Sequence, residues 1–472
     1  MTNVNHQNNG SFKDPFGSVF EFKERIFRGI KKSKSIHVKN FLDSTFYKDS
    51  ENNELIKTVI VDKDSLLSLG LEKILIEEYD LWLEHEKVDL ITYPYEWSFE
   101  YLKKAAIFHL NLQIKAIKAG YQIKDSSAFN IQFIYGKPIF IDILSFDKYE
   151  DGDYWLGYKQ FCEQFLAPIL INSEIKINHN NFIKGDLNGV DITTLAKILP
   201  IKSFFKPLVF FHVYLQSLAV KAINATSKKK INKTKIKKNN LIAMIDSIKK
   251  NIEKISISKK TYWSDYEEKN SYSKISTEKK EEIISNFVKK YELKKILDLG
   301  CNTGQYSEIL FSSGAKNVIG LDFDSGAINL ASNRRAFKDK NFTPLVFDLV
   351  NPSPSLGWNL KERTPLEFRL KNVDGLICLA LIHHLVISKN IPLPNVINYI
   401  SKLSKYAVIE FVPKEDEMVK SLLQNREDIF FDYNEVNFIN NIKKNFELLS
   451  VQNIPESYRK LIVCKSLNYD KN

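Results

Sequence analysis

The chain has 472 residues, 44% of them hydrophobic and 26% charged. That is ordinary soluble composition on a length that exceeds one core, so two or three domains are expected. The formal charge of +11 favours anionic partners such as nucleic acid, acidic lipid or acidic glycan, although lysine spread along most of a chain is also what a solvated surface of biased composition shows. Four cysteines, Cys162, Cys301, Cys378 and Cys464, include no C-x-x-C pair. Cys301 and Cys378 fall in apolar α/β-type segments where a free thiol acts as a small apolar group, and a reducing, cytoplasmic setting fits.

In chain order, MTNVNHQNNGSFKD is polar and lacks the apolar core of a signal peptide. FGSVFEFKERIFRGI, residues 16–30, reads as two short strands about a polar turn, and LIKTVIV as another strand. An extended aromatic run, LITYPYEWSF, leads into residues 98–120, where apolar residues at three- and four-residue spacing predict a helix with Gly120 as its stop. IQFIYGKPIFIDI reads as a hairpin about Tyr-Gly-Lys, and residues 154–171 as helical. The apolar stretch 199–220 carries Lys202, Lys206, Pro207 and His212, which argues for a helix packed on a core and against a transmembrane segment. Residues 221–262 are dense in lysine, a linker or a basic helix between two halves, and a candidate for peripheral contact with an anionic membrane or glycan. From residue 278 the pattern turns to βαβ. KKILDLG, NVIGLDFD, TPLVFDLV, VDGLICLAL and KYAVIEFVP are strand candidates separated by helical or longer connections, which predicts a mostly parallel sheet with helices on both faces.

ILDLGCNTGQYS ends a buried-strand run in Asp298 and continues with Gly300 and Gly304. The glycines let backbone pass close to a ligand at the carboxyl end of the strand, but the spacing is G-x-x-x-G rather than the dinucleotide G-x-G-x-x-G. A carboxylate there repels a pyrophosphate and suits a cationic sulfonium. The stretch resembles the first motif of class I S-adenosylmethionine (SAM)-dependent methyltransferases. The likeness continues with Asp322 ending the second strand, where the family binds ribose, and Asp348 after the third, where it reads adenine. With Cys301, Asn302, Thr303, Phe323, Leu349 and Leu379, these residues make up the cofactor-binding set that the resemblance implies over residues 262–465 or so. His383 and His384 follow the fourth strand near the expected methyl position, as a general base or as a packed pair. Trp263, Tyr266 and Tyr272 are candidates for an aromatic lid, and Trp358, Arg363, Arg426 and Tyr433 for substrate contacts. A base-methylating N-P-P-Y-type motif is absent and LALIHHL stands in its place, which argues against nucleic acid.

In KDSSAFN, Asp125 and Asn130 have D-x-x-x-x-N spacing, and Asp142 follows twelve residues after Asn130. Phosphoryl transfer needs a base for the acceptor hydroxyl and an Asn and an Asp to hold magnesium on the nucleotide. Residues 11–220 resemble the protein-kinase-like fold in its compact sugar- and antibiotic-phosphorylating members. The resemblance implies Asp125 as catalytic, Asn130 and Asp142 as metal ligands, and Mg-ATP as a second cofactor. Departures are Ile123-Lys124 before Asp125, no glycine after Asp142, Gly17 as the sole hint of a glycine-rich loop, and only Arg28 or Lys31 to replace the usual lysine.

YPYEWSF, KDSSAFNIQF, YKQFCEQFLAP, LDLGCNTGQYS, NPSPSLGW, LALIHHL, EFVPK and NREDIF together resemble bacterial two-part nodulation-associated methyltransferase-like proteins. The expectation is therefore an α+β kinase-like domain over 11–220, the lysine tract over 221–262, and an α/β Rossmann-like methyltransferase over 263–472. The expected activity is SAM-dependent methyl transfer to a glycan or small-molecule acceptor. The alternatives are a bifunctional kinase/methyltransferase and a non-catalytic SAM-binding scaffold.

Overall fold

The computed structural model describes residues 7–51, 53–225, 235–257, 273–424 and 426–469. They divide into two compact units. The first takes in the described residues of Met1–Tyr95, Tyr101–Ile257 and Pro354–Thr364, and the second those of Glu96–Glu100, Ser258–Ser353 and Pro365–Asn472. Each unit thus includes a short segment from the other half of the sequence.

The first unit opens with an antiparallel sheet of β1 (Gly17–Phe22), β2 (Arg25–Ile30), β3 (Thr58–Val61) and β4 (Leu81–His85), in the order β1-β2-β4-β3. Phe22 pairs with Arg25, so the β1–β2 turn is Lys23-Glu24, both at positive φ, the two-residue geometry whose twist matches the flanking strands. Phe20, Phe27, Leu66, Tyr79 and Trp82 form the core on one face of this sheet. The helix Phe99–Lys118 follows, then β5 (Tyr121–Ile123), β6 (Ile131–Ile134), β7 (Lys137–Phe140) and β8 (Phe146–Lys148). β6 and β7 pair about Tyr135-Gly136, and β5 pairs with β8. A small antiparallel sheet, a long helix and two short hairpin-like pairs thus stand ahead of a helical remainder, an α+β arrangement.

Within the lysine tract, Lys238–Lys254 is a helix that buries Leu241, Ile245, Ile248 and Ile252. That stripe at three- and four-residue spacing anchors it to the first unit, where Lys249 Nζ reaches Asn111 Oδ1 at 3.1 Å. The stretch 199–220 becomes a short helical turn, Ile201–Phe205, and then a helical run from Pro207 that passes through a wider turn at Phe210–Tyr214 into Leu215–Ala225. Leu208, Val209 and Val213 are buried while Ile201, Phe205 and Phe211 are exposed, so one face packs and the other is bare. Among the described residues no helix is long and apolar enough to cross a membrane.

The second unit is a seven-stranded sheet of β9 (Lys295–Leu299), β10 (Asn317–Asp322), β11 (Asn341–Val346), β12 (Gly375–Cys378), β13 (Tyr406–Phe411), β14 (Phe446–Asn453) and β15 (Lys460–Ser466), ordered β11-β10-β9-β12-β13-β15-β14. β9 to β13 run parallel and β15 runs antiparallel to both its neighbours. The five parallel strands are those the sequence pattern marks. The order reverses between β9 and β12, and such a switch point opens a crevice at the strands' carboxyl ends. One buried ionic group underpins the sheet. Glu410, within β13, accepts Lys280 Nζ at 3.1 and 3.2 Å and lies 3.7 Å from Arg459, which also bonds Asp416.

Candidate active site

At that switch point lies a cavity of about 320 Å³. The turn after β9 forms part of its lining. Gly300 and Gly304 adopt positive φ, as does Asn302, and the Gly300 and Cys301 amides bond the carbonyl of Leu321 on β10. A side chain at Gly304 would strike the Phe337 ring at 2.9 Å, so glycine is required by conformation and by space together. Gly304 also precedes the helix Gln305–Ser312.

Asp322 ends β10. Its Oδ2 accepts the Asn302 amide and its Oδ1 the Asp324 amide, both at 2.9 Å. Each carboxylate oxygen has two lone pairs, so both retain acceptor capacity toward the cavity. Burial pushes the Asp322 carboxyl up to about 6, against the pull of those amides. Asp348 follows β11 and caps its own turn through the Val350 amide at 2.9 Å.

Gly300, Cys301, Asn302, Thr303, Asp322, Phe323, Asp348, Leu349, Leu379 and His384 all line the cavity. Asp298, Gly304 and His383 are not among its lining residues. Asp298 is buried and its Oδ2 takes the Ser307 hydroxyl at 2.6 Å. It therefore fastens the turn to the following helix, and burial pushes it up to about 7. His383 is buried with Nδ1 unpartnered, while the His384 ring lies tilted against it, centroids 4.1 Å apart, and reaches the cavity. Burial lowers both histidines, His384 to about 4, and the neighbouring ring adds to the effect at His383.

Lys280, Tyr306, Ser388, Lys389 and Leu422 also line the cavity without having been singled out from the sequence. Glu410 gave a usable signal for Lys280, because a lone carboxylate in the apolar run YAVIEF needs a buried cation. Trp263, Tyr266 and Tyr272 lie outside the described residues. Tyr433 is buried with its hydroxyl on the Val412 carbonyl, and Arg426 bonds the Ile387 carbonyl and Asn390. Arg363 belongs to the first unit, its guanidinium centre 4.4 Å from the Phe129 ring centroid.

The first unit brings Asp125, Asn130 and Asp142 together. Asn130 Nδ2 donates to Ser145 Oγ at 3.2 Å, and Ser145 donates to Asp142 Oδ2 at 2.7 Å. Asp125 Oδ1 accepts from Gln160 at 2.7 Å. Asp142 Oδ1 accepts the Leu144 amide and Arg28 Nη1, the latter at 2.6 Å, and Arg28 Nη2 bonds Asp14 at 2.6 Å. Burial raises Asp142 and the Arg28 charge outweighs it, so the carboxyl is held below its usual value. At Asp125, burial and the Asp142 charge push the other way. Among the described residues no three His, Cys, Asp or Glu side chains are grouped to hold a metal ion.

The family model for a methyltransferase domain matches residues 297–393, which contain the cavity's glycine turn, Asp322, Asp348 and His384. Nodulation protein NoeA of Rhizobium meliloti (strain 1021) is 36% identical over 462 residues, covering 96% of this chain and 94% of the relative. The chain belongs to the NoeA family. It is a two-part protein whose second unit is a Rossmann-like, SAM-dependent methyltransferase. Among solved structures, the bifunctional kinase-methyltransferase WbdD matches at 18% identity over 41% of this chain and 40% of that one, with a TM-score of 0.27. The N-methyltransferase NodS from Bradyrhizobium japonicum WM9, in complex with S-adenosyl-L-homocysteine, matches at 10% identity over 44% of this chain and 100% of that one, with a TM-score of 0.31.

Proposed function

We propose that this chain methylates a glycan or small-molecule acceptor, with His384 taking the acceptor's proton. The observation that carries this reading is one cavity lined by the glycine turn, by Asp322 with acceptor capacity to spare, and by a histidine. The residues fit SAM. Asp322 suits the ribose hydroxyls, Phe323 and Leu349 offer apolar surface to a base, and Asp348 accepts an amine. When bound, SAM supplies an electrophilic methyl group.

The protein's own contribution is orientation and proton removal. Leu379, Leu381 and Leu385 make much of the lining apolar, which limits water beside the reacting atoms. His384, lowered to about 4 by burial, is neutral throughout the ordinary working range. An imidazole lowered that far is a weak base, and it takes the proton only as the acceptor's nucleophile loses it during methyl transfer. The two-part likeness seen in the sequence supports a glycan or small molecule as acceptor.

The test is transfer from labelled SAM into a pool of bacterial glycans and metabolites, with SAM affinity measured alongside. Wild type is expected to yield a labelled product. His384→Gln keeps a hydrogen-bonding side chain without a basic nitrogen, so it is expected to bind SAM normally and lose about 10²-fold in transfer. Full transfer by His384→Gln would remove the base role. SAM binding without product from any pool would favour the scaffold alternative.

A further inference from the structure

The kinase-like unit has the residue types for magnesium, but an arginine is already among them. Arg28, on β2, is 6% exposed, and it bridges Asp142 and Asp14 with two hydrogen bonds of 2.6 Å. Asp142 is the residue whose spacing from Asn130 matches a metal-binding aspartate. Its remaining oxygen takes the Ser145 hydroxyl, which also holds the Asn130 amide. We infer that Arg28 is a built-in cation standing in for magnesium, so that the first unit binds no Mg-nucleotide and transfers no phosphate.

Two independent features agree. A divalent ion on Asp142 would sit against a guanidinium with little water between them to screen the repulsion, and guanidinium does not deprotonate to make room. The phosphate cradle is missing as well. The β1–β2 turn is Lys23-Glu24, and Gly17 instead starts β1, where an added side chain would meet the Gly29 carbonyl at 2.6 Å. Its smallness serves strand pairing, and among the described residues no glycine-rich turn in the first unit presents backbone N–H groups to a nucleotide.

The rival view makes Arg28–Asp142 an ordinary ion pair beside a site that still takes metal. Titration of the full-length protein with Mn²⁺, with and without ATP, separates the two by the electron paramagnetic resonance signal of free Mn²⁺. Wild type is expected to retain none at the site in either condition. Arg28→Gln, which keeps a polar side chain and removes the charge, is expected to tighten Mn²⁺ binding at least tenfold, and a second change, Asp142→Asn, to abolish the gain. ATP-dependent Mn²⁺ retention by wild type that Asp142→Asn removes would overturn the inference. So would a folded Arg28→Gln protein, judged by an unchanged circular dichroism spectrum, with no gain in Mn²⁺. Should Arg28→Gln fail to fold, the wild-type titration decides alone.

Discussion

Two aspartates at strand ends, Asp322 in the second unit and Asp142 in the first, are handled in opposite ways. Asp322 receives two backbone amides, which orient its oxygens without cancelling their charge. Asp142 receives a full guanidinium at 2.6 Å, which neutralises it. Both positions match a family's motif by type and spacing. The difference lies in what else the fold brings to the carboxylate, and that decides whether it faces a ligand or holds the protein together.

Replacing each by asparagine is the sharpest way to break this contrast. Asp142→Asn leaves the buried Arg28 with Asp14 alone and is expected to destabilise the first unit by about 2–4 kcal/mol, as for a buried pair losing one partner. SAM affinity should stay unchanged. Asp322→Asn should do the reverse, weakening SAM by about 1.5–3 kcal/mol, the range for hydrogen bonds to a charged group, with melting nearly unmoved. Calorimetric titration and thermal unfolding of both variants read this out. If both lost stability and kept affinity, Asp322 would be as structural as Asp142.

A smaller effect sharpens the same point through pH. The Asp322 carboxyl is pushed up to about 6, above its unfolded value, so the folded state binds the extra proton between roughly pH 4 and 6. Without cofactor, stability from this group is therefore present at low pH and is lost as pH rises through 6. A cationic cofactor with ribose hydroxyls prefers the ionised form. SAM affinity is expected to be level above about pH 7 and to fall by up to about tenfold per unit below 6, with Asp322→Asn flattening that limb. A wild-type profile level from pH 5 to 8 would remove Asp322 from the cofactor contact.

How much was legible follows from the same physics. The parallel strands are buried on both faces, so they read as continuous apolar runs, and the acids and glycines that interrupt them stand out. The antiparallel strands β14, at the sheet edge, and β15 beside it fall outside that βαβ pattern. In β14 burial is patchy, with Phe446 buried and most of the rest half-exposed, so no apolar run marks it. Asp298 was legible as important but not in its role, because its partner Ser307 lies one turn into the next helix and hydroxyls carry no periodic signal. Lys280 looked like one more surface lysine until Glu410 was seen beside it. Within the lysine tract, charge dominates the composition while the stripe Leu241, Ile245, Ile248, Ile252 fixes the structure.

The segment Pro354–Thr364 gives the mildest test of the comparison. From the sequence its Pro/Gly turns, Trp358 and Arg363 suggested a substrate-touching loop after β11. It folds as part of the first unit. Leu356 and Arg363 exchange backbone hydrogen bonds of 3.0 Å, and Lys13 bonds Glu362. Arg363 lies over Phe129, a residue between Asp125 and Asn130, and 5.8 Å from the Tyr93 ring centroid. A guanidinium on an aromatic face contributes about 0.5–2 kcal/mol depending on how dry it is, so Arg363→Ala is expected to cost about 1 kcal/mol of first-unit stability. Lysine keeps the charge but not the flat, weakly hydrated face that stacks, so Arg363→Lys should recover only part of it. Neither change should alter KM or kcat for methyl transfer, because no atom of Arg363 lines the cavity. A raised KM with unchanged melting in both variants would return the loop to the substrate, and Phe129 with it.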